Sequence, residues 1–310
     1  MLIAVDHGNK QIKTAHKVFT SGLRKTDTRP ICEDFLEYQG NYYSLTNQRI
    51  PFTWDKSSND DFFILTLFAI AYEIEARSAY VRDEINDIDL AVGLPPAHYG
   101  SLKQKFGDYF RRTSGEDYLE FFFRDMPFYI TIRDVRVYPQ AYAAALTVLA
   151  RYQGVKKIYV VDIGGMTADY LQILENQQLD TTFCNSLEHG VILLYNEIQS
   201  KIRGDYGMLV DDIQIDAMLR GEDVLDHPQI VEIVEKSAQA FVASLLGLLR
   251  ENQMDLRTAP TVFVGGGSMI LRKFIEPSKA IGRCAFVDDV CANTTGYELL
   301  YRASKLGGRS

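Results

Sequence analysis

Leu2-Ile-Ala-Val5 runs into Asp6-His-Gly-Asn-Lys-Gln-Ile-Lys13, and about half a chain later Ile158-Tyr-Val-Val161 runs into Asp162-Ile-Gly-Gly-Met-Thr-Ala-Asp169. In both places a short apolar run, the mark of a buried strand, ends at an aspartate and enters a polar turn containing glycine. It then resumes as a second strand, Ile12-Lys-Thr-Ala15 in the first case and Tyr170-Leu-Gln-Ile-Leu174 in the second. Glycine in such a turn is expected where φ is positive. One hairpin design used twice, so far apart, predicts two related α/β halves rather than a short-period repeat.

The segments between these hairpins fill in the halves. Phe62 to Tyr72 reads as a buried helix, too short for a membrane span. Pro139 to Tyr152 is alanine-rich, opens on proline and stops near Gly154, which predicts one helix joining the halves. Pro228 to Asn252 carries apolar residues at a helical period with charges opposite, the pattern of a core-packing helix. Thr261-Val-Phe-Val264 predicts a strand, Gly265-Gly-Gly267 a loop, and Met269 to Lys279 a helix interrupted at Pro277. Phe121-Phe-Phe123 and Tyr42-Tyr43 read as core or interface strands, since no basic stripe accompanies them.

A chain of 310 residues is long enough for two domains, and with 46% hydrophobic and 24% charged residues it has the composition of a globular protein. The net charge of −8, from 33 basic and 41 acidic residues, opposes direct contact with nucleic acid or anionic lipid. Cys32, Cys184, Cys284 and Cys291 form no C-x-x-C pair and are expected as buried thiols in a reducing cytoplasm. The first apolar run ends at Asp6, so no signal-peptide core is expected, and no low-complexity linker separates the halves.

Each turn alone is compatible with an ordinary hairpin. Repetition points further, because main-chain N–H groups of a glycine turn cradle phosphate oxygens and the glycines admit close approach. Lys13 would reach toward such a phosphate from the second strand. Asp6 and Asp162 would sit beside it, tolerable there when a cation such as Mg²⁺ neutralises the local charge through water. Neither G-x-x-x-x-G-K-[ST] nor G-x-G-x-x-G is present, so the P-loop and dinucleotide fingerprints are excluded.

With these residues in order, the chain resembles the actin, Hsp70 and sugar-kinase superfamily, and most closely the bacterial plasmid-segregation actins of the ParM/StbA type. Asp6 to Lys13 looks like the first phosphate motif and Val137-Tyr-Pro-Gln-Ala141 like the first connecting motif. Asp162 to Asp169 resembles the second phosphate motif, Val262-Phe-Val-Gly-Gly-Gly-Ser268 the adenosine motif, and Ala292-Asn-Thr-Thr-Gly-Tyr297 the second connection.

The resemblance implies an actin-like fold of two RNase-H-like lobes, residues 1–155 and 156–295, with a C-terminal helix of about 296–310 packing back on the first. ATP, with GTP as an alternative, and Mg²⁺ would lie in the cleft between them. The nucleotide would be held by Asp6, Gly8, Asn9, Lys13, Gly164, Gly165, Met166, Thr167, Gly265, Gly266 and Gly267, and the metal, through water, by Asp6 and Asp162. Gln140 and Asp162 would carry the chemistry. Some segregation actins have glutamate where Gln140 stands, and a glutamine orients water without ionising it; otherwise Gln140 is a solvated residue of a helix's first turn. His7 departs from the acidic or amide residues common there, and is expected either to feel the phosphates or to face solvent.

The function implied is a nucleotide-dependent, filament-forming ATPase of the cytoplasm. It would drive plasmid segregation through an adaptor of the ParR type, touching neither DNA nor membrane. The alternative is a small-molecule, sugar-type kinase of the same superfamily, which would need a carboxylate base where this chain has Gln140.

Overall fold

The computed structural model describes residues 1–112, 118–222 and 227–307. The chain divides into two compact units: Met1–Thr147 together with the segment from Cys291 onward, and Val148–Val290. The joints therefore fall before the 155/156 and 295/296 positions expected from sequence.

The first unit is built on a nine-stranded sheet. Strands β1 (Leu2–His7), β2 (Gln11–Lys13) and β3 (Val18–Thr20) form an antiparallel meander. β4 (Leu23–Thr26), β5 (Phe35–Tyr38) and β6 (Asn41–Leu45) follow, then helix α1 (Asp61–Ala76), β7 (Ile85–Leu94), α2 (Pro96–Phe110), β8 (Leu119–Phe123) and β9 (Met126–Pro139). The strand order is β3-β2-β1-β7-β9-β8-β5-β6-β4. β1 and β7 pair in parallel, as do β7 and β9. Helix α1 is apolar almost all round because it is buried almost all round, with Phe62, Phe63, Leu67, Phe68 and Ile70 in the core.

The segment 139–152 is not one helix. Pro139 ends β9, Ala141 takes a positive φ of 59°, and only Tyr142–Leu146 is α-helical (α3), followed by a 3₁₀ turn at Leu149–Tyr152. The alanines serve packing more than helix propensity. Ala143, Ala144 and Ala145 are buried, and α8 (Ala292–Gly307) lies so close to α3 that a Cβ on Gly296 would overlap the Ala143 carbonyl. Tyr297 of α8 packs with Ala4, Ala91 and Ala143, so this C-terminal helix belongs to the first unit; residues 308–310 of the expected 296–310 helix lie outside the described residues.

The second unit repeats the pattern. β10 (Lys157–Ile163), β11 (Ala168–Leu174) and β12 (Leu179–Leu187) form an antiparallel meander, and β10 pairs in parallel with β13 (Thr261–Val264), which pairs in parallel with β14 (Cys284–Phe286). The order β12-β11-β10-β13-β14 matches β3-β2-β1-β7-β9, as the repeated hairpin predicts. Helices α4 (Val191–Tyr206), α5 (Asp212–Arg220), α6 (Pro228–Glu251) and α7 (Gly265–Ile275) complete it. Along α6 the residues Ile230, Val234, Ala238, Phe241, Val242, Leu245 and Leu249 form the buried stripe read from sequence. The cysteine expectation is corrected: Cys32 is exposed and the other three are half-buried, all free thiols. Among the described residues no helix is long and apolar enough to cross a membrane.

Gly296→Ala is expected to lower stability by about 1–3 kcal/mol, because backbone rather than a flexible side-chain end blocks the new methyl. Urea unfolding followed by circular dichroism checks this.

Candidate functional site

In the first unit the hairpin turn is shorter than the sequence suggested. β1 continues through Asp6 and His7, with Asp6 opposite Lys13 and His7 opposite Ile12, leaving Gly8, Asn9 and Lys10 as the turn. Gly8 does not have a positive φ; its need for glycine is steric, since a Cβ would lie 2.6 Å from the Gln11 carbonyl oxygen. Ser21 braces the turn, its hydroxyl donating to the Gly8 carbonyl at 2.5 Å and its N–H to the Lys10 carbonyl at 3.1 Å.

Asp6 is only 4% exposed. A buried carboxylate is tolerated when hydrogen bonds replace its water, and here two neutral amides do so. Gln140 Nε2 donates to Oδ1 at 2.6 Å and Asn293 Nδ2 to Oδ2 at 3.4 Å. Asn293 in turn accepts the Ala141 N–H at 3.0 Å, steadying the one residue between Gln140 and α3 that has a positive φ. Gln140, 7% exposed, is not the solvated first-turn residue that was the alternative; it sits at the end of β9, its N–H on the Leu94 carbonyl at 2.8 Å. The contact also explains why glutamine suits the position. A glutamate would set a second negative carboxylate against Asp6, whereas the amide donates to it.

His7 neither faces solvent nor points toward the turn. Its ring is wholly buried among Phe62, Phe106 and Phe110, and burial together with the Lys56 ammonium holds its pKa well below 6.5. Asn9 and Lys13 are half-buried at the turn and the following strand.

In the second unit Asp162 occupies the position equivalent to Asp6, on β10 opposite Asp169, and is 8% exposed. The turn Gly164–Thr167 is closed by the Gly164 N–H on the Thr167 carbonyl at 2.8 Å. Its carbonyls are spent on α4: those of Gly164, Gly165 and Met166 accept from the N–H groups of Val191, Ile192 and Gly190 at 3.1, 2.9 and 3.1 Å. A helix N-terminus leaves donors without intrahelical partners, and the turn satisfies them. Among the described residues, the N–H groups of Gly165 and Met166 keep no protein acceptor. Two adjacent free amides on a turn whose carbonyls are engaged elsewhere suit an anionic oxygen.

Gly190 was missed from sequence, although a Cβ there would collide with the Gly165–Met166 backbone. The ring of His189 beside it stacks on Phe241 at 4.3 Å. Asn293 was quoted in the second connecting motif but not assigned a role. The signal for both was a small or amide residue at a helix start.

Gly265-Gly-Gly267 is not a loop; it is the first turn of α7, entered directly from β13. Gly265 has φ +85°, and a Cβ would run into the Asp162 carboxylate. A Cβ on Gly267 would lie 2.6 Å from the Ile163 carbonyl oxygen. Gly266 meets nothing within 4 Å. Two glycines thus let β13–α7 pack against the end of β10, and the third leaves open space. Within each unit the expected residues come together: Asp6, Gly8, Asn9, Lys13 and Gln140 in the first, Asp162, Gly164–Thr167 and Gly265–Gly267 in the second. Among the described residues no three His, Cys, Asp or Glu side chains are grouped to hold a metal directly.

Two family models match the chain along its length: actin like proteins N terminal domain over residues 4–142, and archaeal actin homologue MreB-like, C-terminal, over residues 160–277. The chain is an actin-like protein. It shares its fold with the ParM group. The archaeal actin homolog Ta0583 in complex with ADP is 19% identical, covering 98% of this chain and 99% of its own, with a TM-score of 0.72. A 15-stranded ParM filament from Clostridium botulinum is 16% identical over 97% and 99%, with a TM-score of 0.73. Bacillus thuringiensis ParM with AMPPNP is 12% identical over 98% and 99%, with a TM-score of 0.66. No protein of curated function matches by sequence.

For this actin-like chain the three glycines of α7 separate packing from open space. Gly265→Ala is expected to cost about 1–3 kcal/mol through the left-handed φ and the Asp162 clash, and Gly266→Ala to change stability by less than about 1 kcal/mol. Parallel denaturant titrations of the two variants decide the point.

Proposed function

We propose that this actin-like protein binds and hydrolyses a nucleoside triphosphate with Mg²⁺, and that the triphosphate form assembles head to tail into filaments. The observation that carries the proposal is the duplicated strand end. Two sheets that share a five-strand order each carry a buried aspartate one residue before the end of the first strand, ahead of a glycine turn, and in the second turn two adjacent N–H groups remain available. That donor set fits phosphate oxygens, and a carboxylate at each strand end suits contact with a divalent cation through water. ADP in the archaeal homolog and AMPPNP in the Bacillus ParM support an adenine nucleotide, with GTP as the alternative.

In this scheme Asn9, Gly165 and Met166 supply amide donors to the phosphates, Gly8, Gly164 and Thr167 shape the two turns around them, and Lys13 adds a charge-assisted bond. Gly265–Gly267 border the base and sugar, with Gly266 facing the ligand. Asp6 and Asp162 hold the metal's water shell. The bound Mg²⁺ supplies neutralisation of phosphate charge. Gln140 orients the attacking water: with its amide N–H spent on Asp6, its Oε1 is left to accept from water. It cannot take the proton as a strong base, so turnover is slow, as a filament timer requires.

A nucleotide-selected shape that presents complementary surfaces at opposite ends of the subunit propagates as an open polymer rather than a closed dimer. The ParM filament from Clostridium botulinum supports that mode of assembly. A role in plasmid segregation through a ParR-type adaptor rests on the resemblance to segregation actins. The net charge of −8 suits an indirect link to DNA.

Mg-ATP or AMPPNP is expected to raise light scattering above a critical concentration, with filaments visible by electron microscopy, and ADP to reverse it. A chain that hydrolyses ATP yet stays monomeric or dimeric overturns the filament assignment. Gln140→Ala is expected to bind nucleotide near wild type while hydrolysis falls at least roughly tenfold, and its filaments to outlive wild-type ones. Equilibrium binding of a fluorescent nucleotide beside phosphate release separates the two effects, and a parallel fall in both would remove Gln140 from the chemical step.

A further inference from the structure

Two surface features of the second unit answer each other. Leu209, in the turn between α4 and α5, and Ile213, in the first turn of α5, are 76% and 75% exposed, and Tyr206 at the end of α4 is exposed as well. The exposure is built into the backbone. Gly207 closes α4 with a φ of +66°, Met208 and Val210 on either side of Leu209 pack against the core, and a capping box starts α5. In that box the Asp211 carboxylate accepts the Gln214 N–H at 2.8 Å, and the Gln214 side chain accepts the Asp211 N–H at 3.0 Å. With its neighbours anchored inward, Leu209 is held outward. Aliphatic side chains presented this way on a fixed turn suit a contact that needs little further ordering.

The second feature is a groove of about 320 Å³ between α6 and the end of α7, lined by Val242, Ala243, Leu246, Phe274 and Pro277. It is turned away from α4. Ser237 of α6 meets Lys201 of α4 at 3.1 Å, and Phe241 stacks on His189 just ahead of α4. At 3.6 residues per turn, Ala243 and Leu246 fall on the opposite side of α6 from these two contacts. The turn that follows α4 is therefore not placed to fill the groove of its own chain.

Charge matches the two features. Residues 205–212 hold three carboxylates, Asp205, Asp211 and Asp212, and no basic residue. Lys273 lines the groove, its ammonium 3.1 Å from Glu235, and Lys279 follows the lining residue Ser278. Neither Asp205 nor Lys279 has an ion pair among the described residues. An apolar tip with an acidic border fits an apolar groove with a lysine border, and a joint between two different patches of one chain is heterologous, so it repeats from copy to copy.

We propose that the α4–α5 turn of one copy docks in the α6–α7 groove of the next, with Leu209 and Ile213 on the apolar lining and Asp205 toward the lysines. This is the head-to-tail contact of the filament, and the inference rests on the proposal above that the chain polymerises.

The test uses the full chain with Mg-AMPPNP. Leu209→Arg sets a cation against the lysine-bordered groove, and Ala243→Arg fills the groove; both positions are exposed, so neither change enters the core. Each variant alone is expected to keep its circular dichroism spectrum and nucleotide affinity, and to raise the critical concentration for light scattering at least roughly tenfold. Mixed in equal amounts, the two are expected to form a one-to-one pair and stop there. The intact turn of the Ala243→Arg copy meets the intact groove of the Leu209→Arg copy, while the other turn and groove are both blocked. Sedimentation velocity reads the pair.

Variants that polymerise like the wild type overturn the inference and leave the turn to a partner of another kind. So does a mixture that stays monomeric. In both cases wild-type filaments keep the assembly proposal standing. If the wild-type chain binds and hydrolyses nucleotide but forms no polymer, the assembly proposal itself falls and takes the inference with it.

Discussion

Parallel pairing decides where chemistry can occur in each unit. β1, β7 and β9 run the same way, so the ends of β1 and β9 emerge at one edge of the first sheet, where Asp6 meets Gln140 although the two lie far apart in sequence. The same constraint in the second unit brings the end of β10, with Asp162, to the end of β13, where α7 begins at Gly265. Strand carboxyl ends are where α/β sheets gather loops and helix N-termini, and polar groups placed there escape the apolar interior that the strands require. Were either strand antiparallel to its neighbour, the aspartate and its partner would leave at opposite edges.

That placement carries a cost, which Asp6 shows. Asp6 is nearly buried, and neutral amide donors from a strand end and from a C-terminal helix replace its lost water. Neutral donors satisfy the carboxylate without cancelling its charge, which leaves it able to attract a cation. An arginine in either place would have formed a closed ion pair. Arg77 and Glu73 show this chain using that solution elsewhere: the buried Glu73 carboxylate is paired and multiply hydrogen-bonded, its pKa lowered against the opposing effect of burial by Thr14, His16 and Arg77. The contrast is between a carboxylate neutralised by an ion pair in the core and one held by neutral donors at a strand end.

Much of this was legible in the sequence because it rests on local pattern. A four-residue apolar run ending at aspartate and glycine is a strand-and-turn signal wherever it falls, and its repetition carried the two-sheet architecture, confirmed by the matching strand orders. What was not legible depends on tertiary approach. The alanine run 143–145 reads as helix propensity, yet its small side chains are there because Gly296 brings α8 against α3, and the helix that holds it ends after five residues. Gly265-Gly-Gly267 reads as a loop because glycine is a poor helix former, and tertiary packing against Asp162 overrode that tendency. His7 sits within the turn motif and its sequence neighbours are polar, so nothing local announced that its ring enters an aromatic core. Only the strand's alternation, continued two residues further, would have turned it inward.

The glycines show how packing and binding can be told apart within one motif. At Gly190, Gly265 and Gly267 an added methyl strikes backbone or a fixed carboxylate, and this alone accounts for glycine there. At Gly266 it strikes nothing, and in the middle of a helix's first turn glycine costs roughly 1 kcal/mol relative to alanine. A residue that destabilises its own helix and is not required by any neighbour is best explained by something outside the chain that must come close. The same reasoning applies to the amides of Gly165 and Met166, since the carbonyls of Gly164, Gly165 and Met166 are taken by the first N–H groups of α4 while these two N–H groups keep no acceptor among the described residues. Both features leave backbone open to close approach, which neither the packing of α7 nor that of α4 requires.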